Sequence, residues 1–212
     1  LTAVDQDSPY LVASEDKSYL GQGGQSFVNV FRYQRIINDK ARIGMYTSNR
    51  YYEGGGYGNL VGIDGLLILN KKWRLNYELF KNFNQEPTKD WIDSSDKIGD
   101  RSVMLDGQEF NGDAIYLTFE RNTEHWKSYF TYRNISPDYQ TDVGFVVKNN
   151  RRWGTLRHTY QNIVDKENLR SYEFGTKLDV NYTFDNKLKT ISLDGDFQIE
   201  TIGNTEISYT YD

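Results

Sequence analysis

Alternation of apolar and polar residues is the feature that most constrains this chain. Across residues 171–185, every second position holds an aromatic, aliphatic or threonine side chain, and the positions between hold polar residues or glycine. Successive side chains of a strand point to opposite faces, so a period of two predicts a strand with one apolar face. Similar runs begin near Trp73, Ile115, Ile191 and Ile207. The pattern predicts an all-β chain of about eleven strands.

The composition agrees with strands and excludes several classes of protein. There are 17 Tyr and 11 Phe but only 3 Pro, and aromatic residues favour pleated surfaces. Mean hydropathy is −0.74, and no stretch approaches the roughly 18 apolar residues of a helical span. A net charge of −5 argues against a nucleic-acid partner, because phosphate contacts need a basic face. The absence of Cys excludes disulfides and thiolate chemistry.

The connections between the predicted strands alternate between short and long. Short polar turns are predicted at 38–40, 70–72, 122–124, 148–151 and 185–187, and longer connections at 49–57, 84–111, 134–141 and 164–170. In an antiparallel meander every second connection lies at the same end of the sheet. One end is therefore expected to carry the short turns, and the other end the long loops. Outer-membrane barrels have this asymmetry. The sequence therefore predicts an antiparallel up-and-down transmembrane β-barrel, with a soluble β-sandwich or closed soluble barrel as the alternative.

Three segments are distinguished along the chain. Residues 1–25 are acidic and glycine-punctuated with little periodicity, and are predicted to be a connector or a segment inside the lumen. Residues 26–212 are predicted to be the barrel portion. Within it, loop 84–111 is the longest irregular segment, and such loops are commonly functional, so a plug, lid or partner-binding role is predicted.

The predicted strand number is odd, whereas bacterial single-chain barrels have an even number. An open sheet edge exposes unpaired backbone groups, which is prohibitive in lipid. The chain also begins without Met. We therefore expect a processed product or a part of a longer protein, contributing some of the strands of a larger barrel.

The polar faces of the predicted strands supply a set of lumen-facing side chains. These are Asp64, Arg74, Glu78, Glu120, Glu173, Lys177 and Asp179. Two carboxylates about 5–10 Å apart could hydrolyse a glycoside, but carboxylates balanced by neighbouring cations are the favoured interpretation. Trp73, Trp126 and Trp153 each follow a predicted short turn, and the amphipathic indole ring favours a membrane interface.

The remaining motifs predict no catalytic residue, metal or cofactor. The glycine-rich stretches 21–24 and 53–58 lack the Lys-Ser/Thr ending of a phosphate loop and open no predicted helix. His125 and His158 stand alone, whereas a metal site needs about three convergent ligands. Ser128 beside His125 has no third group to complete a triad. The Asp-rich stretch 90–100 lacks the spacing of a calcium loop.

Four stretches taken together resemble a known family. They are residues 26–50, 57–68 and 112–146, and the Arg-Arg-Trp at 151–153. They resemble an uncharacterised outer-membrane barrel family of Bacteroidota and some Proteobacteria, whose members place a carbohydrate-binding-module-family-9-like domain before a C-terminal barrel. The positions that carry the resemblance are Arg32, Ile43, Gly44, Asn59, Gly62, Asp64, Ser136, Pro137, Asp138, Tyr139, Gly144 and Phe145.

The resemblance implies an outer-membrane barrel of a Gram-negative bacterium, with the carbohydrate-binding-like domain outside this chain. It implies no activity. From the residues themselves, Pro137 and Asp138 are turn formers, and Gly144 beside Phe145 is expected to mark a bulge or an aromatic ring packed over a bare glycine. Together with Tyr139, these residues are predicted to be structural.

The expected function is a channel or a component for the uptake or capture of a glycan-related nutrient. The expected partners are the lipid bilayer, other outer-membrane proteins and carbohydrate, with no nucleic acid and no cofactor. One alternative is a structural or partner-binding barrel in an outer-membrane complex. A surface glycoside hydrolase is the less favoured alternative.

Overall fold

A computed structural model describes residues 1–203 and 205–211, and eleven long strands form one antiparallel sheet in it. These strands are β1 (Thr2–Ala13), β2 (Ser18–Asn38), β3 (Ala41–Tyr52), β4 (Tyr57–Leu69), β5 (Trp73–Gln85), β10 (Glu109–Asn122), β11 (Trp126–Ile135), β12 (Arg151–Lys166), β13 (Leu169–Tyr182), β14 (Leu188–Thr201) and β15 (Glu206–Tyr211). Each pairs with its neighbours along the chain. The prediction of an all-β antiparallel meander is confirmed.

Four two-residue strands lie in the connection between β5 and β10. They are β6 (Thr88–Lys89), β7 (Lys97–Ile98), β8 (Arg101–Ser102) and β9 (Leu105–Asp106). β6 pairs with β9, and β7 pairs with β8, so one small hairpin is nested within the other. The described part of the chain contains no helix with the length and apolarity needed to cross a membrane.

The register keeps the alternation in phase from strand to strand. Ile63 on β4 lies opposite Met45 and Leu79, whereas the next residue, Asp64, lies opposite Gly44 and Glu78. A slip of one residue would exchange the two faces, so this register gives the sheet one apolar and one polar face. We call the face that carries Asp64 the inner face and the face that carries Ile63 the outer face.

The two ends of the sheet differ in their connections. At one end, the turn end, short turns join β2 to β3, β4 to β5, β10 to β11 and β12 to β13. The other end, the loop end, carries the connections 14–17, 53–56, 86–108, 136–150 and 183–187. We call 86–108 the long connection and 136–150 the second connection.

The predicted turns at 148–151 and 185–187 are not at the turn end. Residues 148–150 finish the second connection, and 185–187 belong to the β13–β14 turn at the loop end. Residues 144–148 form no strand of the main sheet: Val146 packs onto the inner face, and Lys148 makes an isolated parallel bridge to Ser14. Residues 164–170, predicted to be a long connection, form the tight β12–β13 turn.

Residues 1–25 differ from the expected connector, because they form β1 and the first part of β2. Register shifts between Asp5 and Ser8 and between Ser8 and Tyr10 change the phase of the side chains along β1. Opposite this irregularity, Gly23 has a φ of 71°, and a Cβ there would lie 1.6 Å from the Ser8 carbonyl oxygen. The irregular register hides the period of two in the sequence.

The sheet curls until distant strands meet at the loop end. Glu15 follows β1, yet its carboxylate contacts the Lys189 ammonium on β14 and accepts a hydrogen bond of 2.8 Å from Asn150 Nδ2. In the order of the sheet, β14 is nine strands away from β1, which corresponds to roughly 40 Å in a flat sheet. The inner face is therefore concave. β1 and β15 do not pair with each other, so the sheet is open.

Two clusters of buried apolar residues lie on the inner face towards the loop end. One contains Tyr10, Val12, Tyr52, Ile92, Ile98, Val103 and Leu105, and the other contains Leu60, Ala114, Ile135 and Tyr139. Each cluster joins residues of the sheet to residues of the long or the second connection. The core therefore lies between the concave face and these two connections.

Candidate functional site

The long connection is folded onto the inner face. Ile98, Val103 and Leu105 are buried against β1 and β3. The Trp91 ring lies 6.3 Å from the Tyr10 ring and 6.0 Å from the Tyr52 ring. These contacts make the segment predicted as loop 84–111 an ordered cover of the inner face, and its first and last residues belong to β5 and β10.

A buried ion pair joins the first residue of the long connection to β8 within it. Arg101 Nη1 donates to Glu86 Oε1 at 2.7 Å, with side-chain exposures of 6% and 0%. The guanidinium also lies 3.9 Å over the Phe110 ring. Burial raises the pKa of the Glu86 carboxyl, although the Arg101 charge opposes that shift. Arg101 Nε is 3.7 Å from Asp138 Oδ1, which links the two connections.

The second connection is fixed by hydrogen bonds to backbone groups. Asn149 is fully buried, and its Nδ2 donates to the carbonyl oxygens of Ala13 at 3.0 Å and Pro137 at 2.5 Å. The Ser136 hydroxyl accepts from the Asp113 N–H at 2.8 Å. Sequence reasoning missed Asn149, because an Asn in a polar stretch carries no sign of burial.

The residues of the second connection that carry the family resemblance differ in their exposure: Tyr139 is buried, whereas Phe145 is exposed. The Tyr139 ring is buried in the second cluster, and burial raises the pKa of its phenol. Asp138 contributes its carbonyl oxygen, which accepts a hydrogen bond from Asn82 Nδ2 at 3.3 Å. Phe145 is 79% exposed. The expected packing of an aromatic ring over Gly144 is therefore not present.

A buried carboxylate lies where the second connection meets β3 and β4. Gln140 Nε2 donates to Asp142 Oδ1 at 3.1 Å. Burial raises the pKa of Asp142, and the nearby Arg50 charge opposes that shift. A Cβ at Gly58 would lie 2.1 Å from Asp142 Oδ2, so the bare glycine makes room for this side chain. No sequence pattern marks Asp142, since its burial depends on the curl of the sheet.

All seven predicted lumen-facing residues lie on the inner face. Most of the acidic ones have a cationic neighbour. Arg32 donates to both carboxylate oxygens of Asp64, at 2.5 and 2.7 Å. Arg74 lies 3.9 Å from Glu120. Lys177 contacts Asp179 and lies 3.5 Å from Asp194, while Arg157 lies 3.0 Å from Asp196.

The remaining two carboxylates are Glu78 and Glu173. Glu173 lies opposite Gln161 and Gln198 on the neighbouring strands. Glu78 lies directly opposite Asp64, which places their Cβ atoms about 5 Å apart. A retaining glycosidase uses two carboxyl groups about 5 Å apart, but Asp64 is already the bidentate counter-ion of Arg32. The geometry favours a charge-balanced wall over a hydrolytic pair.

The three predicted interface tryptophans do not share one environment. Trp73 and Trp126 lie on the outer face at the turn end, where Trp73 stacks on Phe119 at 4.9 Å and Trp126 on His158 at 4.8 Å. Trp153 lies on the inner face near the loop end, with Arg133 over its ring at 5.1 Å. Its strand starts at the loop end because residues 148–151 are not a turn-end hairpin.

The histidines offer no metal or triad site. His125 Nδ1 is 3.2 Å from the Gln161 carbonyl oxygen, and Ser128 pairs instead with His158 Nδ1 at 2.8 Å. Thr176, not a carboxylate, lies opposite His158 on β13, whereas a triad needs an acid that orients the ring. Within residues 1–203 and 205–211, no group of three His, Cys, Asp or Glu residues could hold a metal ion.

Large apolar side chains are exposed along the outer face from β2 to β15. They include Phe27, Phe31, Tyr33, Ile43, Met45, Val61, Ile63, Leu67, Leu69, Phe83, Phe130, Leu156, Phe174, Ile191, Leu193, Phe197, Ile207, Tyr209 and Tyr211. Soluble monomers rarely expose a contiguous apolar patch of more than a few hundred Å². The outer face therefore has the character of an interface rather than of a water-exposed surface.

Comparisons with known proteins were negative: no protein-family model matches the chain, and neither do any curated proteins or solved structures. What defines the class of this protein is its architecture, a curled antiparallel meander with an apolar outer face and a polar inner face.

Proposed function

We propose that this chain forms part of the wall of a transmembrane β-barrel in the outer membrane of a Gram-negative bacterium, and that the barrel takes up or captures a polar nutrient. The observation that carries the proposal is the inverted distribution of side chains. Exposed apolar residues cover the convex outer face, and charged residues line the concave inner face. Transmembrane barrels alternate apolar-out and polar-in along every strand.

The height of the apolar surface suits a bilayer. On β4, the outer-face positions from Val61 to Leu69 span eight residue steps, or about 26 Å along the strand. A strand tilt of about 40° reduces this to about 20 Å, close to the apolar band of about 25 Å in such barrels. Trp73 and Trp126 lie at the turn-end border of this surface, where interfacial tryptophans belong.

The inner face suits contact with water. Its ion pairs Arg74–Glu120 and Arg157–Asp196 are partly exposed, so their charges would remain solvated in a water-filled interior. The two connections cover the inner face only towards the loop end. The family resemblance makes carbohydrate the solute class to test first.

A second function, a barrel that binds a partner protein and passes no solute, is favoured by one observation. The second connection exposes Phe145 to 79% and also exposes Val147 at the loop end. Exposed apolar side chains on an ordered segment are typical of binding surfaces. Under this alternative, the long and second connections form a docking surface.

Conductance in planar bilayers of the complete barrel protein that contains this chain tests these alternatives. We expect steps of ionic conductance whose cation preference decreases in Glu120→Gln, because that substitution removes an inner-face charge. Glu53→Gln removes an equal charge from the β3–β4 connection at the loop end and is the matched control. Stable insertion without conductance would contradict uptake through this chain and support the partner-binding barrel.

A further inference from the structure

The turn end holds a basic cavity of about 400 Å³. Its walls come from the β2–β3 and β4–β5 turns and from the adjoining ends of β5 and β10. Its ionisable lining residues are Lys40, Lys71, Lys72 and Arg74, opposed by Asp39 and Glu120. Four cations against two carboxylates give a local charge of +2, although the whole chain carries −5.

Backbone hydrogen bonds fix the positions of the lysines. The Lys40 carbonyl accepts from the Ile68 N–H at 2.7 Å, and the Lys72 carbonyl accepts from the Asn122 N–H at 2.8 Å. Three neighbouring hairpins are thereby tied together. Asn70 and Lys71 both have a φ of 57°, as the central residues of a type I′ turn require. The cations therefore project from ordered turns rather than from a free loop.

The positive charge of this cavity is largely uncompensated. In the described part of the chain, no carboxylate lies within 4.0 Å of the ammonium groups of Lys40, Lys71 or Lys72. Arg74 is 3.9 Å from Glu120, a long contact that leaves guanidinium donors available. An arginine fork among lysines is the donor set that proteins use for phosphate.

We propose that this cavity binds a phosphate group. The same chemistry has two sources, a soluble phosphate-bearing solute at the inner mouth of the barrel and the headgroup of an anionic phospholipid. Trp73 lines the cavity although its ring lies on the outer face, so the cavity adjoins the border of the apolar surface, where phospholipid headgroups would lie. The position of the site within a barrel rests on the proposed function. Phosphate binding can be measured whether or not the protein conducts ions.

The test is titration of the full chain, in uncharged detergent micelles, with glycerol phosphate and with inorganic phosphate. Trp73 fluorescence reports binding, and Trp73→Phe should abolish the response. Saturable binding is expected, weakened at least tenfold in Lys40→Gln/Lys72→Gln. The double variant Lys89→Gln/Lys97→Gln removes the same charge at the loop end and should bind as the wild type does.

Native mass spectrometry of protein extracted from vesicles of phosphatidylglycerol and phosphatidylcholine distinguishes the sources. Selective retention of phosphatidylglycerol by the wild type, lost in the turn-end variant, identifies the lipid. Glycerol phosphate binding without retained lipid identifies a soluble ligand.

Absence of saturable binding, or equal weakening in both double variants, would overturn the site. Binding by a chain that gives no conductance would leave the site standing while contradicting uptake. Conductance without phosphate binding would overturn the site and leave the proposed uptake standing.

Discussion

The pair of Glu86 and Arg101 is the most consequential contact between single residues. Both side chains are almost fully buried, so their charges depend on each other. Removing one partner of a buried pair is strongly destabilising, whereas replacing both can be nearly neutral. The pair therefore stabilises the packing of the long connection on the sheet. A single unpaired charge at either position would oppose that packing.

Arg101→Met should lower the free energy of unfolding of the long connection by about 3–5 kcal/mol, since Glu86 is left buried and unpaired. The double variant Glu86→Leu/Arg101→Met, which replaces both charges by apolar side chains, should recover much of this loss. Urea unfolding in micelles, followed by Trp91 fluorescence, measures both.

Lys17→Met is the control for this experiment, because it breaks the solvent-exposed pair with Asp96 and should lower the stability far less than Arg101→Met does. Equal losses in the single and double variants at Glu86 and Arg101 would show that the pair is not the source of the stability.

Sequence reasoning could assign the inner-face residues but not this pair. Asp64 and Glu78 are assigned by the period of two, which is a local property of each strand. Glu86 and Arg101 lie in a segment without periodicity, and their burial results from packing against β1 and β3. Nothing in the neighbouring residues records that packing.

At the scale of elements, the second connection depends on close approach to β10. A Cβ at Gly112 would lie 2.4 Å from the Tyr139 backbone nitrogen, and backbone atoms cannot move aside as a flexible side chain can. The misassigned turn at 148–151 belongs to this same segment. Its apolar residues at 143, 145 and 147 alternate as in a strand, but the bonds of Asn149 hold it in an irregular path.

Gly112→Ala should displace the second connection and increase hydrogen exchange at the Tyr139 and Asn149 amides, whose acceptors are the Ser136 and Ser14 carbonyls. Gly195→Ala is the matched control, because a Cβ there meets nothing within 4 Å. Exchange by mass spectrometry with peptide resolution measures both. Unchanged protection of 136–150 in Gly112→Ala would contradict the close approach.

At the scale of the whole molecule, the two faces are inverted relative to a soluble protein, and the sheet curls towards closure without reaching it. The inversion could be predicted, because period-two alternation persists through the chain. The curl of the sheet could not be predicted, because it depends on contacts between residues that are far apart in sequence, such as Glu15 and Lys189. β1 was missed for a related reason, since its register shifts break the period.

The four tryptophans allow the most direct test of the membrane proposal. Trp73 and Trp126 lie on the outer face, whereas Trp91 and Trp153 pack against the inner-face clusters. Four single-tryptophan variants, with the other tryptophans changed to Phe, would be reconstituted in vesicles whose acyl chains carry bromine. Strong quenching of Trp73 and Trp126, with Trp91 and Trp153 little affected, is the predicted result. Fluorescence indifferent to bromine at all four positions, from protein that stays soluble without detergent, would contradict the transmembrane barrel.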